Sequence, residues 1–563
     1  MACYYMASPF SPGATAMTVR EKVSHVDTAW LRMDRPENLM QIVGVMILIG
    51  RVDAERCKRI LAKRLLRYRR FRQIARLDAD GACWVDDTDF DIDRHLRRSL
   101  LPAPGGKHEL QKFVAELASE ALNPARPRWE FKLVELADGN SAMIVRIHHA
   151  IADGIALIGV MDALTDAEID AAEDDRWPAK PGSAAAGRQN ARRESDADDT
   201  GEPFGHAIIE PLAEVAQSIL EVGGHLWGQY RALRDEPGAV ADYARVAASV
   251  AKEIGKLALL PSDSQTRFKG KPGTVKRVAW SEPTSLAEIK ACGKHLGCSV
   301  NDTLLSCVAG ALRSYLVAKG DAVNDAEIRV MVPVNLRAPS DGEKHPDARD
   351  DLGNRFGLIA LELPIGIENP LARLYATRAR MAALKGSYQA LLTFALLGAT
   401  GMAPGFVEEK VLEVLASKTT AVMTNVPGVQ QARYFAGQKI DQQLVWVPQA
   451  GDIGMGVSIL SYNGRVQFGL ITDKRLVDDP QSIVDRFAEE FEKLLWLVLL
   501  EPGDLLANPD AVAKDLARTV LGQSASPSPR RTTTARFQSA SSARAASTSS
   551  RSIASMATKS AAS

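Results

Sequence analysis

Two hydrophobic periods alternate along the chain. Residues 40–48 form an apolar, β-branched run that predicts a strand. Residues 54–66 place Cys57, Leu61 and Leu65 on one stripe of an amphipathic helix. Residues 82–85 read as a short strand and 110–121 as a helix. Two further strands, 131–135 and 142–147, are joined by a turn containing Asp138-Gly139-Asn140. Strands and helices interleave, which predicts an α/β block over 20–164. Periodicity is lost over 165–205, where acidic residues, Pro, Gly, Ala and Ser dominate, and this segment reads as a linker. A second block, 206–522, opens with helices over 207–233 and 240–260. Alternation then resumes, with strands at 275–280, 328–334, 356–364, 421–424, 457–461 and 466–470. The helices of this part fall at 285–295, 300–318, 370–385 and 480–499. The pattern predicts two α/β domains, preceded by a flexible stretch over 1–19.

Composition changes this picture only locally. At 563 residues the chain exceeds one ordinary core, in keeping with two domains. Its 69 Lys/Arg balance 69 Asp/Glu, so net charge points to no nucleic-acid partner. The tail 523–563 is Ser/Ala/Thr-rich with Arg530, Arg531, Arg536, Arg544, Arg551 and Lys559 and no acidic residue, a composition that predicts disorder. Residues 51–76 carry eleven Lys/Arg against Asp53 and Glu55. This is either a basic amphipathic helix lying on an anionic bilayer or a solvated basic face. Residues 386–407 are uncharged but interrupted by Gly398, Gly401, Pro404 and Gly405. They read as a buried helix plus a loop, or as an apolar hairpin that dips into a membrane surface or lines a lipid entrance. Six scattered cysteines suit a reducing cytoplasm, and residues 1–13 show no secretory signal. Cys292, His295 and Cys298 are metal-ligand types without a fourth partner at ligand spacing, so no metal is expected.

The candidate chemistry lies at His148-His149-Ala150-Ile151-Ala152-Asp153-Gly154. The pair of histidines follows a strand and precedes the apolar helical run 155–161, a strand-to-helix junction. Alternation on the strand puts His149 with Val145 and Ile147, and His148 with Arg146 on the opposite face. His149 is the better candidate base, because a neutral imidazole accepts a proton near pH 7. The Asp153 carboxylate falls at a helix N-terminus, where negative charge is favoured. No Ser or Cys stands at triad spacing.

This heptad resembles the His-His-x-x-x-Asp-Gly signature of the coenzyme A-dependent acyltransferase superfamily, which the condensation domains of peptide synthetases share. Other blocks resemble the bacterial wax ester synthase/acyl-CoA:diacylglycerol acyltransferase family. They are Ser24-His25-Val26-Asp27 followed by Trp30; Asn123 to Glu130, with Arg128 where that family usually has Leu; Ser299-Val300-Asn301-Asp302; Val332 to Arg337; Gly353-Asn354-Arg355-Phe356-Gly357; and Thr424 to Gly428. They span about residues 20 to 500 in the family's order.

The resemblance implies a two-domain fold of mixed sheets flanked by helices, with the active site in a channel between the domains. It implies an O-acyltransferase that esterifies diacylglycerol or a long-chain alcohol. His149 would be the general base, and His148 would support it or shape the channel. Asp153, with Gly154, would brace the loop by pairing with an arginine, for which Arg126, Arg337 and Arg355 are candidates. Asn301 and Asp302 open a second-domain helix, and Thr424 and Asn425 are candidate oxyanion donors. No cofactor is implied, because acyl-CoA enters as the donor substrate. Lipid substrates imply peripheral contact with a membrane surface or lipid inclusions from the cytoplasmic side. Two alternatives remain at this stage: a condensation-type enzyme using a carrier-protein thioester, and a lipid-inclusion surface protein.

Overall fold

A computed structural model describes residues 20–78, 81–169, 262–336, 352–384, 389–402, 416–500 and 509–520. The expected flexible stretch 1–19, most of the linker 165–205, the helices 207–233 and 240–260 and the tail 523–563 lie outside these residues. In the first half the elements are β1 (Arg20–Lys22), α1 (His25–Arg32), β2 (Gln41–Ile49), α2 (Ala54–Arg64), β3 (Gln73–Asp78), β4 (Gly81–Asp86), β5 (Leu96–Leu100), α3 (Lys107–Ser119), β6 (Trp129–Glu135), β7 (Ser141–His148) and α4 (Gly154–Leu164). The second half begins with β8 (Lys276–Trp280), β9 (Thr284–Ser285), α5 (Leu286–His295), α6 (Val300–Ala318), β10 (Ile328–Asn335), β11 (Phe356–Leu363), α7 (Pro370–Leu384) and α8 (Gln389–Met402). It continues with β12 (Ala421–Pro427), β13 (Tyr434–Phe435), β14 (Gln438–Trp446), β15 (Met455–Tyr462), β16 (Arg465–Asp473), α9 (Gln481–Leu500) and α10 (Pro509–Val520).

Two mixed sheets carry the fold. One has the order β13-β14-β2-β7-β6-β5; the other runs β11-β10-β12-β15-β16-β8, with β9 on β16. A small third sheet joins β1, β4 and β3. Every residue of β7 is buried because both of its faces are covered. Met143, Val145 and Ile147 pack into the same cluster as Trp30 of α1, whereas Ala142 and Ile144 pack against Leu110, Val114 and Leu117 of α3. That is why 142–145 and Ile147 form a near-continuous apolar run instead of alternating, with Arg146 the one charged residue in it.

The strand β14 does not announce itself in the sequence, because Lys439, Asp441, Gln442 and Gln443 break its apolar pattern. Pairing decides its conformation: it lies antiparallel on β2, from Lys439 opposite Ile49 to Trp446 opposite Val43, with a bulge between Ile440 and Gln442. A strand from the second block thus completes the sheet of the first, and the boundary at 165–205 does not divide the sheets.

The basic stretch 51–76 is not one continuous helix. It comprises α2, two short 3-10 turns and β3. Carboxylates from neighbouring elements engage at least five of its cations. Arg51 meets Glu135 (2.8 Å), Lys58 meets Asp93 (2.5 Å), Arg64 meets Asp166 (2.9 Å), Arg69 meets Asp86 (2.9 Å) and Arg70 meets Glu21 (2.5 Å). The described part of 386–407 is the helix α8, packed against α1 and β11 with Ala390, Leu391, Leu392, Phe394 and Leu397 buried. Residues 403–407 lie outside the described residues.

Candidate active site

β7 delivers the two histidines to opposite sides of its sheet. Beyond the strand end, the main-chain N–H of His149 donates to Met40 O (2.7 Å), which holds the extended geometry for one more residue. His149 faces a cavity of about 510 Å³ together with Val145 and Ile147, while Arg146 and His148 point away from it. A volume of this size is that of a ligand site, well beyond a packing defect. Both halves of the chain build its walls. Trp30, Ile42 and Leu157 come from the first, and Met331, Phe356 and Leu396 from the second. Most of the lining is apolar.

The His149 imidazole is 3% exposed, stacked on Trp30 (centroids 4.3 Å apart, 25° between planes) and tilted against Phe356 (5.5 Å). Burial drives its pKa down to about 4, although Asp153 opposes the shift. The ring is therefore neutral at pH 7. Its Nδ1 is sealed from solvent and makes no well-formed hydrogen bond to another described residue, although the ring's own main-chain oxygen and the Asn354 side chain favour a proton on it; Nε2 is left as the nitrogen on the cavity side.

His148 has a different environment. Its Nδ1 accepts from the Ala150 main-chain N–H (3.1 Å), and its Nε2 stands 3.5 Å from Asp34 Oδ2 and 3.4 Å from Arg128 Nη1. Burial lowers its pKa in spite of Asp34. The structure thus separates His148 from the cavity and places it in a buried polar cluster behind the strand.

Asp153 caps α4, with Oδ1 accepting from Ala156 N–H (2.8 Å), and its Oδ2 accepts from the main-chain N–H of Arg355 (3.0 Å). Of the three candidate arginines, Arg355 is the one whose main chain reaches Asp153, and Arg337 lies outside the described residues. Gly154 opens α4 on the cavity wall. A Cβ there would meet nothing within 4 Å, so the missing side chain leaves room in the cavity and is not required by a close contact.

The four second-half candidates divide. Asp302 is committed to a capping box, its Oδ2 accepting from Ser299 N–H (2.9 Å) and Ser299 Oγ (2.7 Å), and it does not line the cavity. Thr424 lines the cavity but donates its hydroxyl to Val457 O (3.3 Å). Asn301 and Asn425 both line it, and Asn425 Nδ2 donates to Asn301 Oδ1 (2.5 Å). This bond leaves the Asn301 amide NH₂ uncommitted by it. No group of His, Cys, Asp or Glu suited to a metal occurs among the described residues. Burial pushes the Cys292 and Cys298 thiols up to about 11 and about 12, away from the thiolate a metal needs.

Three contributors had no role assigned from the sequence. Asn354 donates through Nδ2 to Asp27 Oδ1 (2.6 Å) and to the main-chain oxygen of His149 (2.8 Å). Asp27 is buried in α1 three residues before Trp30, hence on the same helix face. Phe356 closes the other side of the imidazole. The signal was in the sequence, since all of them fall in the blocks around 24–30 and 353–357.

Two mixed sheets sharing a cavity with a strand-terminal histidine define a coenzyme A-dependent acyltransferase-like fold. The wax ester synthase/diacylglycerol acyltransferase of Marinobacter aquaeolei VT8 has this fold (TM-score 0.57, 20% identity, 85% of this chain and 99% of that one). So do the first condensation domain of the calcium-dependent antibiotic synthetase (0.50, 14%, 87% and 98%) and the trichothecene 15-O-acetyltransferase of Fusarium sporotrichioides (0.51, 11%, 86% and 97%). The wax ester synthase/diacylglycerol acyltransferase catalytic domain matches residues 23–304, and the WS/DGAT C-terminal domain matches 352–495. The chain belongs to this family and is an acyltransferase. A probable diacylglycerol O-acyltransferase of Mycobacterium tuberculosis is 27% identical over 451 residues, covering 79% of this chain and 88% of the relative. A second, putative one from the same species is 26% identical over 510 residues, covering 87% and 92%.

Proposed function

We propose that the chain transfers an acyl group from acyl-CoA to the hydroxyl of diacylglycerol or a long-chain alcohol, with His149 as general base. The observation that carries this reading is a neutral imidazole, the one histidine among the described residues on the wall of a mostly apolar cavity built from both halves. The acceptor oxygen attacks the thioester carbonyl as its proton passes to His149 Nε2. The tetrahedral oxyanion collapses, the C–S bond breaks, and the imidazolium returns the proton to the coenzyme A sulfur. No acyl-enzyme forms. Base catalysis of this kind contributes about 10²–10⁴-fold. Holding both substrates in one dry cavity supplies a further part. The Asn301 amide, turned by Asn425, is the donor we assign to the oxyanion. His148 acts from behind the strand by fixing the chain at Ala150, and Asp153 braces α4 against Arg355.

Contact with a membrane or lipid inclusion from the cytoplasmic side belongs to the same reading. No helix among the described residues is long and apolar enough to cross a membrane. Support for peripheral contact comes from the lipid character of the substrates and from the exposed Trp496, Leu499 and Leu500 at the end of α9. The deciding experiment incubates purified protein with labelled palmitoyl-CoA and competing diacylglycerol and hexadecanol, then resolves the products. Ester formation abolished by His149→Ala in a folded protein supports the reading. Near-normal turnover in that variant removes it. Failure with free acyl-CoA but success with a carrier-protein thioester moves the protein to condensation chemistry.

A further inference from the structure

Three polar atoms around His149 are buried without a hydrogen-bond partner: His149 Nδ1, Asn354 Oδ1 and Trp30 Nε1. Orphaned buried polar atoms are uncommon, and three on neighbouring side chains call for a joint account. Asn354 supplies its starting point. The amide cannot be turned over, because the His149 carbonyl can only accept, so the NH₂ must face it. The same NH₂ donates to Asp27 Oδ1, a carboxyl 6% exposed on α1. Both donor hydrogens are thus committed, and the Asn354 carbonyl oxygen is left as an acceptor in a sealed space beside the imidazole.

A neutral imidazole has one donor and one acceptor nitrogen. If Nδ1 were the acceptor it would need a donor, and the orphan donor at hand is Trp30 Nε1–H. That N–H lies in the plane of an indole stacked on the imidazole at 25°, so it cannot point at a nitrogen of that ring. If Nδ1 is the donor, two acceptors serve it: its own main-chain oxygen, which Asn354 Nδ2 holds in place at 2.8 Å, and Asn354 Oδ1. That main-chain oxygen and, after it, the Asn354 side chain are the hydrogen-bonding groups that favour a proton on this ring.

We infer that Asn354, itself clamped by Asp27, is the positioning residue that fixes His149 as the Nδ1–H tautomer and so leaves the Nε2 lone pair free in the cavity. This inference rests on the proposed base role of His149. It gives the site the logic of a base oriented by an amide, with the orienter supplied by the second half of the chain at the Gly353-Asn354-Arg355 turn. Asp153, expected as a brace of the loop, is engaged with the main-chain N–H groups of Ala156 and Arg355.

The test is ¹⁵N NMR of histidine-labelled protein above pH 6, with the His149 signals assigned by difference from His149→Phe. The expected wild-type spectrum shows a pyrrole-type Nδ1 and a pyridine-type Nε2. An Nε2–H tautomer in the wild type overturns the inference whether or not any variant folds. Asn354→Ala should mix the tautomers and lower kcat at least tenfold, with KM for acyl-CoA changed less than threefold. Asn354→Asp, which keeps an oxygen acceptor but adds charge, should move the acid limb of the kcat/KM profile upward from about 4. An unmoved limb together with an unmixed tautomer in Asn354→Ala would reduce Asn354 to a structural clamp and overturn the assignment. The base reading fails separately, through retained turnover in His149→Ala, which leaves the tautomer result untouched.

Discussion

Burial of the His149 imidazole has a measurable consequence for stability. Its pKa falls from 6.5 to about 4 on folding, so between these values the unfolded chain binds a proton that the native protein refuses. Stability therefore rises with pH through this window, is at its full value above pH 6.5, and is lost as pH falls toward 4. The complete shift corresponds to about 3 kcal/mol, of which about 2 kcal/mol is lost between pH 7.5 and 5. The comparator is His149→Phe, which keeps an aromatic ring against Trp30 and Phe356 but cannot titrate. Urea unfolding of both proteins at pH 7.5 and 5 cancels every other titrating group. The wild type should lose about 2 kcal/mol more than the variant over this interval. Equal losses in the two proteins would show that the imidazole is not sealed, and the reasoning from burial would fall. The same burial sets the acid limb of kcat/KM near pH 4 instead of 6.5.

Other expectations follow from single contacts. Trp30→Ala removes the ring stacked on His149 and should cost about 3–5 kcal/mol by urea unfolding. It should also admit water, so thiol release from acyl-CoA without acceptor should rise relative to ester formation; an unchanged ratio would argue against a role for Trp30 in excluding water. Gly357→Ala would place a Cβ 1.7 Å from Ala390 O, pushing α8 off β11. A loss of about 1–3 kcal/mol is expected, seen as a lowered Tm, and a wild-type Tm would contradict the close approach. Asp153→Ala removes the α4 cap and the acceptor for Arg355 N–H, together about 2–4 kcal/mol, with partial recovery in Asp153→Asn. Unfolding free energies equal to wild type would show that the brace carries no stability.

The sequence made β7, α4, β2 and α6 legible because each buries an apolar run or stripe that period alone reveals. It hid β14, whose polar residues are drawn into the sheet by pairing with β2. The helix expected over 54–66 is there as α2 and the turn after it, but a run of arginines does not show the carboxylates that meet Arg64, Arg69 and Arg70 from other elements. Within the site, strand alternation separates the two histidines correctly, because that depends on local geometry. The capping box of Ser299 and Asp302 is likewise local, at a spacing of three residues. The orphan at Asn354 and the commitment of the Thr424 hydroxyl depend on contacts across the chain. Residue spacing carries no trace of these.

The depressed pKa of His149 bears on what burial does for a base. An imidazole at 6.5 is already about three-quarters neutral at pH 7, so lowering it to about 4 increases the reactive form by less than about 1.4-fold. The same shift weakens the base, and by itself would slow proton removal. Sealing the ring between Trp30 and Phe356 therefore gains little through the protonation state. Its advantage must come from the cavity: a dry apolar wall keeps water from competing with the acceptor hydroxyl for the thioester, and it strengthens the few dipoles present, the Asn301 amide among them. The acceptor also needs less of a base than its resting acidity suggests, because its oxygen becomes strongly acidic as the bond to the carbonyl forms. A weak, fully neutral and fixed imidazole suits that late proton transfer. Fixing it is a task for side chains that never touch substrate, and in this fold they come from α1 and from the turn before β11.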